Sequence, residues 1–196
     1  MERALQHEEH QEQPVRPTIM LPRRTLVVLC GPAGSGKSTF ARKFVERHRK
    51  HGFKQTTVVS SDHCRALICD DETSQQVNRD TFDLFHYIIH KRMFQARFTI
   101  ADSTALQAEA RRKLLELAQR HNYHTCLIVF KLPLETYIER DQHQARGRTV
   151  GAQVVAYHFG LLQQALQDIP QEGWEYIHIL DEQRADIETE IVIVSH

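Results

Sequence analysis

The sequence has no apolar run of about 18 residues, the length a helix needs to cross a bilayer, and its N-terminus is too polar for a secretory leader. Cysteine is sparse. Cys30, Cys64, Cys69 and Cys126 form no Cys-x-x-Cys pair and no zinc spacing, which argues against a metal ribbon or a disulfide scaffold. Cys30 and Cys126 lie inside apolar runs and read as small core residues, so a reducing cytoplasm is the simplest setting. Net charge is also lacking: 25 Lys and Arg balance 25 Asp and Glu. No bulk field draws such a chain to nucleic acid or membrane, and any polyanion must be gripped by a local patch. There is no internal repeat. What remains is a 196-residue chain, 41% hydrophobic and 26% charged, a composition that excludes a wholly disordered or fibrous protein and suits one domain.

Residues 1–22 are rich in Gln, Glu and His and carry Pro14, Pro17 and Pro22. This segment reads as a disordered polar tail, with the folded domain spanning 23–196. From Thr25 the pattern changes. Thr25–Cys30 is a continuous apolar run of the kind a buried parallel strand shows. Further strands are expected at Thr56–Ser60, Phe98–Ala101, Thr125–Leu132 and Tyr176–Leu180, and the stretch ending at Val194 fits helix or strand. Helical spacing joins them, as in Phe82, Phe85, Ile88, Ile89 and Met93. Apolar strands alternating with helices imply a three-layer α/β domain around a parallel five-stranded sheet. Ligands on such a sheet sit beyond the carboxyl ends of the strands, which places Gly31, Asp62 and Asp102 on one edge.

Gly31-Pro-Ala-Gly-Ser-Gly-Lys-Ser38 matches the phosphate-loop pattern G-x-x-x-x-G-K-[ST] between an apolar strand and a helix. The glycines let the backbone wrap a polyphosphate with its N–H groups turned inward. The following helix adds its positive end. Gly31, Ala33, Gly34, Ser35, Gly36, Lys37, Ser38 and Thr39 are therefore the expected ATP-binding residues. Lys37 is expected on the β- and γ-phosphates and Ser38 on Mg²⁺. No guanine-reading Asn-Lys-x-Asp element is present, and the length leaves little room for the extra domains of a ring-forming ATPase. A small phosphotransferase is the remaining class.

Ser60-Ser-Asp-His-Cys-Arg65 follows the second strand. Asp62 can orient an acceptor hydroxyl and take its proton, or it can cap the short helix beginning there. Arg65, three residues on, shares its face. Asp102 stands where an acid could hold Mg²⁺ through water, with a helix cap as the alternative. Asp70, Asp71 and Glu72 read as a solvated loop. Arg140, Arg146 and Arg148 lie in or before a Gly-containing segment, about 140–151, that reads as a lid. An arginine there can neutralise charge on a transferring phosphoryl group, and Arg140 is the expected one. A denser basic run, Arg42, Lys43, Arg47, Arg49, Lys50 and Lys54, leads away from the phosphate loop towards the amino-terminal edge of the second strand. It reads as a solubility surface, or at most a secondary docking patch. His86 and His90 are spaced i, i+4 without a third ligand in sight, which suits a helix surface better than a metal site.

The combination of GPAGSGKSTFAR, VVSSDHCRALICDDE, DTFDLFHYIIHKRM, IADST and LIVFKLPLETYIERD resembles the kinase domain of bacterial polynucleotide kinase-phosphatase over about residues 25–181. The resemblance implies transfer of the γ-phosphate of ATP or another NTP, with Mg²⁺, to the 5′-hydroxyl of an RNA or DNA end during end healing. It implies Lys37 and Ser38 as nucleotide and metal residues, Asp62 as general base, Arg65 as the grip on the acceptor's phosphate and Arg140 as the lid arginine. The family's Val-Asp-Ala-Thr-Asn is Ala101-Asp-Ser-Thr-Ala105 here, without the terminal Asn. The phosphatase and ligase modules of that family have no counterpart in these residues. That implies a stand-alone kinase served by separate phosphatase and ligase partners, or a divergent relative with another acceptor. A sugar or nucleoside kinase is one alternative. A non-catalytic nucleotide-binding subunit is another, although binding alone needs neither Asp62 nor Arg65.

Overall fold

The structure is a computed structural model that describes residues 18–143, 149–181 and 190–194. The chain runs β1 (Thr18–Pro22), β2 (Thr25–Cys30), α1 (Lys37–Arg47), β3 (Val58–Ser60), α2 (Ser61–Cys69), α3 (Asn78–Phe94), β4 (Thr99–Asp102) and α4 (Ala108–Arg120). It continues through β5 (His124–Phe130), α5 (Leu134–Gln142), α6 (Ala152–Asp168), β6 (Tyr176–Leu180) and β7 (Glu190–Val194). Five strands form a parallel sheet in the order β3-β4-β2-β5-β6. β2 is central, and all six of its residues are buried, which explains its unbroken apolar sequence.

Period-two alternation sends the strand side chains into two cores. On one face Leu26, Val28, Leu127 and Val129 meet Phe85, Ile89 and Met93 of α3, Leu114 and Leu115 of α4, and Val155 and Leu162 of α6. On the other, Val27, Leu29, Ile100 and Ile128 meet Ala41, Phe44 and Val45 of α1 together with Ile19, Leu21 and Ile191. The last three come from β1 and β7, which pair in parallel as a separate two-stranded ribbon. The polar tail expected to reach residue 22 therefore ends sooner: Thr18–Pro22 is a strand with Leu21 fully buried. The reason is alternation. Ile19 and Leu21 point inward while Met20 is exposed, and in the sequence the three form one apolar run too short to reveal a strand beside three prolines. The final stretch resolves as strand, and residues 1–17 lie outside the described residues.

Register lines up the functional edge. Ser60 is beside Asp102, and Asp102 is beside Leu29. The phosphate loop, the start of α2 and the end of β4 thus emerge together at the carboxyl end of the sheet, next to the point where the connections switch from one side of β2 to the other.

Candidate active site

The phosphate loop is shaped by glycines that side chains could not replace. Gly34 and Gly36 have φ of +75° and +91°, a region that Cβ disfavours. A Cβ on Gly34 would lie 2.6 Å from the Tyr137 carbonyl oxygen, because α5 crosses the loop there. Arg140, one turn further along α5, brings Nη1 to 3.8 Å from where a Cβ of Gly36 would be. The lid arginine expected from the sequence thus lies over the loop. Arg146 and Arg148 lie outside the described residues.

Lys37 opens α1 and its ammonium is buried. It donates to the carbonyls of Gly31 (2.8 Å) and Pro32 (2.7 Å) and to Ser35 Oγ (3.1 Å). Burial pushes its pKa down, opposed by Asp102 first, then Cys30, then Asp62. Both carboxylates are therefore within electrostatic reach of the loop's cation. Ser38 and Thr39 follow it in the same first turn and are exposed. Asp102 is buried at the end of β4. It does not cap α4, whose N-cap is Gln107.

Asp62 lies in the first turn of α2, and the cap there is Ser60, whose hydroxyl accepts the His63 N–H at 3.4 Å. Asp62 is half-exposed and accepts from Arg65 Nη1 at 2.9 Å, the shared face that the spacing implies. Arg65 is itself buried. It also donates to the Glu72 carbonyl (3.2 Å) and to Asn78 Oδ1 (3.1 Å), while its Nε has no protein partner among the described residues. Asp71 accepts from Thr73 N–H and hydroxyl, closing its own turn. His90 pairs with His121 at 2.9 Å, and no cluster suited to a metal is found among the described His, Cys, Asp and Glu residues.

Three contributors escape a sequence reading. Arg111, fully buried, donates to the carbonyls of Ala105 (3.0 Å) and Leu106 (2.6 Å) and to the Glu172 carboxylate (2.9 and 3.0 Å), which also accepts from Trp174 Nε1 (2.9 Å). The turn after β4 is thereby anchored, and its Thr104 carbonyl accepts the Gly31 N–H at 3.0 Å. Arg111 precedes Arg112 and Lys113, so the sequence presents it as part of a solvated face. Asp141, also buried, accepts from the N–H groups of Val150 (3.1 and 3.2 Å) and Gly151 (3.0 Å), closing the segment that leads to α6. His158 on α6 has a buried Nδ1 without a partner among the described residues. Burial, then the Lys37 charge, holds its pKa below the ordinary histidine value. No signal in the sequence marks it out.

The residues present fit a magnesium–nucleoside triphosphate. The turn at Gly34 and Gly36 has the left-handed glycine backbone of a phosphate-wrapping loop, Lys37 supplies a cation, and Ser38 and Asp102 are hard oxygen donors of the kind Mg²⁺ takes.

Residues 26–169 match a family model described as an AAA domain. No curated protein matches the chain. Among solved structures, a chain of a Pnkp1/Rnl/Hen1 complex is similar at 23% identity and a TM-score of 0.50, over 61% of this chain and 39% of that one. This chain thus spans well under half the length of that relative. A gluconokinase from Sinorhizobium meliloti 1021 is similar at 18% identity and TM-score 0.54, over 85% and 89%. AvrRxo1-ORF1:-ORF2, solved with ATP, is similar at 17% identity and TM-score 0.58, over 83% and 55%. At these identities the likeness is one of fold. The shared fold is a three-layer α/β domain around a parallel five-stranded sheet with a phosphate loop after its central strand, and none of the described helices is long and apolar enough to cross a membrane.

Proposed function

We propose, for a chain that belongs to the AAA domain family, an ATP-dependent phosphotransferase whose acceptor is the 5′-hydroxyl of a nucleic-acid end. The observation that carries this reading is the Asp62–Arg65 pair. It stands at the carboxyl edge of the sheet, with Asp62 half-exposed and within electrostatic reach of Lys37.

Each residue then has a task. The glycine-rich turn and Lys37 hold the triphosphate, and Ser38 and Asp102 hold Mg²⁺. When bound, the nucleotide supplies the transferable phosphoryl group and the metal neutralises charge on its oxygens. The Asp62 carboxylate accepts the proton of the acceptor hydroxyl. Arg65 orients that carboxylate, and its guanidinium, one helical turn from Asp62, is the group assigned to the phosphate on the 3′ side of the acceptor nucleotide. Arg140, over Gly36, stabilises charge building on the phosphoryl group.

A second reading rests on the same arginine. Glu72 and Asn78 already take two of its bonds, which leaves less for a strand's phosphate and favours a small hydroxylic acceptor. Transfer of labelled γ-phosphate from ATP separates the two. With a 5′-hydroxyl oligonucleotide, a nucleoside, a nucleoside 3′-phosphate and gluconate in parallel, the polynucleotide reading expects the oligonucleotide and the 3′-phosphate to be used best. Equal use of nucleoside and nucleoside 3′-phosphate, or a preference for gluconate, overturns it in favour of the small acceptor.

A further inference from the structure

A cavity of about 380 Å³ lies at the opposite end of the sheet from the phosphate loop. Arg23 reaches it from the turn before β2, Lys54 from the approach to β3, Arg92 from the last turn of α3, and Arg97 from the connection to β4. Four cations from four segments therefore line one space, and among the described residues no Asp or Glu lines it. Among the described residues none of the four forms an ion pair with a carboxylate. Like charges gathered without a counter-charge repel one another, and that arrangement is stabilised when an anion enters.

Arg92 is built in rather than draped on the surface. Its Nε donates to Thr99 Oγ1 (3.1 Å) and its Nη2 to the Phe98 carbonyl (2.9 Å), so the guanidinium is aimed while Nη1 has no protein partner among the described residues. Burial, with Arg97 adding to it, holds its pKa below the usual arginine value. Arg23, Lys54 and Arg97 are exposed and able to close on a ligand. Phe53 and Phe98 supply an apolar wall. The volume falls within the range of small-molecule sites, roughly 300–1,000 Å³, whereas a nucleic-acid strand needs an extended groove.

We propose that this cavity is a binding site for a small phosphate-bearing molecule, separate from the nucleotide site and held by Arg23, Lys54, Arg92 and Arg97. Guanidinium forks match phosphate oxygens in pairs, which a lone surface lysine does not. The basic run that leads away from the phosphate loop thus ends, at Lys54, in a site with a floor and an anchored arginine. The site lies at the far end of the sheet, so occupying it leaves the phosphate loop open.

The test is a titration of the full chain, ¹⁵N-labelled, with pyrophosphate and with adenosine monophosphate, following the amides of Gly52 and Ala96 at this cavity and of Gly34 and Gly36 at the phosphate loop. Saturable shifts at Gly52 and Ala96 are expected, persisting in Lys37→Ala. Arg97→Glu, and independently Lys54→Glu, should weaken that response tenfold or more while the Gly34 and Gly36 response is unchanged. Both substituted positions are exposed, so the variants test charge rather than folding. The proposal is overturned if the Gly52 and Ala96 amides do not respond in the wild type, or respond equally in both variants. It is also overturned if only an oligonucleotide shifts them, with affinity rising with its length.

Discussion

Asp62 and Ser60 divide two tasks that a carboxylate at the start of a helix could combine. Ser60 caps α2, and Asp62, two residues on, is left free of that duty. Asp62→Asn should therefore leave the melting temperature close to the wild type while lowering kcat by about 10²-fold or more, the size of a general-base contribution. Ser60→Ala should do the reverse, costing about 1 kcal/mol of stability with little effect on the rate per folded molecule. A stability loss in Asp62→Asn without a rate loss would remove Asp62 from the chemistry. Tyr137 carries a prediction of another kind. Its hydroxyl donates to the Phe130 carbonyl (2.6 Å) and accepts the Leu132 N–H (2.8 Å), and burial raises its pKa from 10.0 to about 12. The folded state therefore holds the proton more tightly than the unfolded state. The contribution is complete below pH 10 and is lost as pH rises towards 12. The stability difference between wild type and Tyr137→Phe should shrink by about 1.4 kcal/mol per pH unit above 10, read by denaturant unfolding at pH 9, 10 and 11. A difference that stays constant over that range would mean the phenol is solvated.

Helices α3 and α4 end in the same way. After α3, Ala96 N–H donates to the Met93 carbonyl and Arg97 N–H to the Arg92 carbonyl. After α4, Asn122 N–H donates to Gln119 and Tyr123 N–H to Ala118. Both are Schellman closures, which need a left-handed residue at their pivot. The pivots are Ala96 at φ +53° and Asn122 at φ +52°. Asn adopts that conformation at less cost than Ala. Ala96 is exposed and loses little packing on replacement, so Ala96→Gly should raise stability by about 0.5–1 kcal/mol, measurable as a higher denaturation midpoint. No gain would show that the closure is strained by something other than the Ala96 Cβ. Element boundaries elsewhere shift for reasons of the same sort. The strand expected from Thr56 starts at Val58, since Gln55–Thr57 is a turn of 3₁₀ helix. The helix expected to reach His51 stops at Arg47, and Gly52 at φ +85° then turns the chain towards β3.

At the scale of the molecule, the ribbon of β1 and β7 closes the α1 face of the sheet, joining both ends of the described chain in one layer. Leu21, fully buried there beside Ile19 and Ile191, makes the ribbon part of the core. Leu21→Ala should cost about 2–5 kcal/mol, or on the order of 5–15 °C in melting temperature for a domain of this size. A chain beginning at Arg23 should likewise melt below one beginning at Thr18. Equal melting of those two would make the ribbon an ornament rather than a layer.

By itself, the sequence determined the alternation of strands and helices, the phosphate loop with its glycines and lysine, and the carboxyl-edge placement of Asp62 and Asp102. These rest on local rules: an apolar run long enough to be a central strand, a glycine pattern that only a tight anion-binding turn requires, and chain polarity that sends every parallel strand's end to the same side. Only the tertiary structure decided that Arg111 lies beneath the loop in a buried pair with Glu172, 61 residues away. It alone brought Asp141 to the amides of Val150 and Gly151, buried the Nδ1 of His158, and packed Ile19 and Leu21 of β1 into the core. Each of these depends on a partner distant in sequence or on a segment too short to show a period. A charged or polar residue looks the same in a sequence whether it faces water or a counter-charge. Burial is a property of what packs above it, and that is set only when the whole chain has folded.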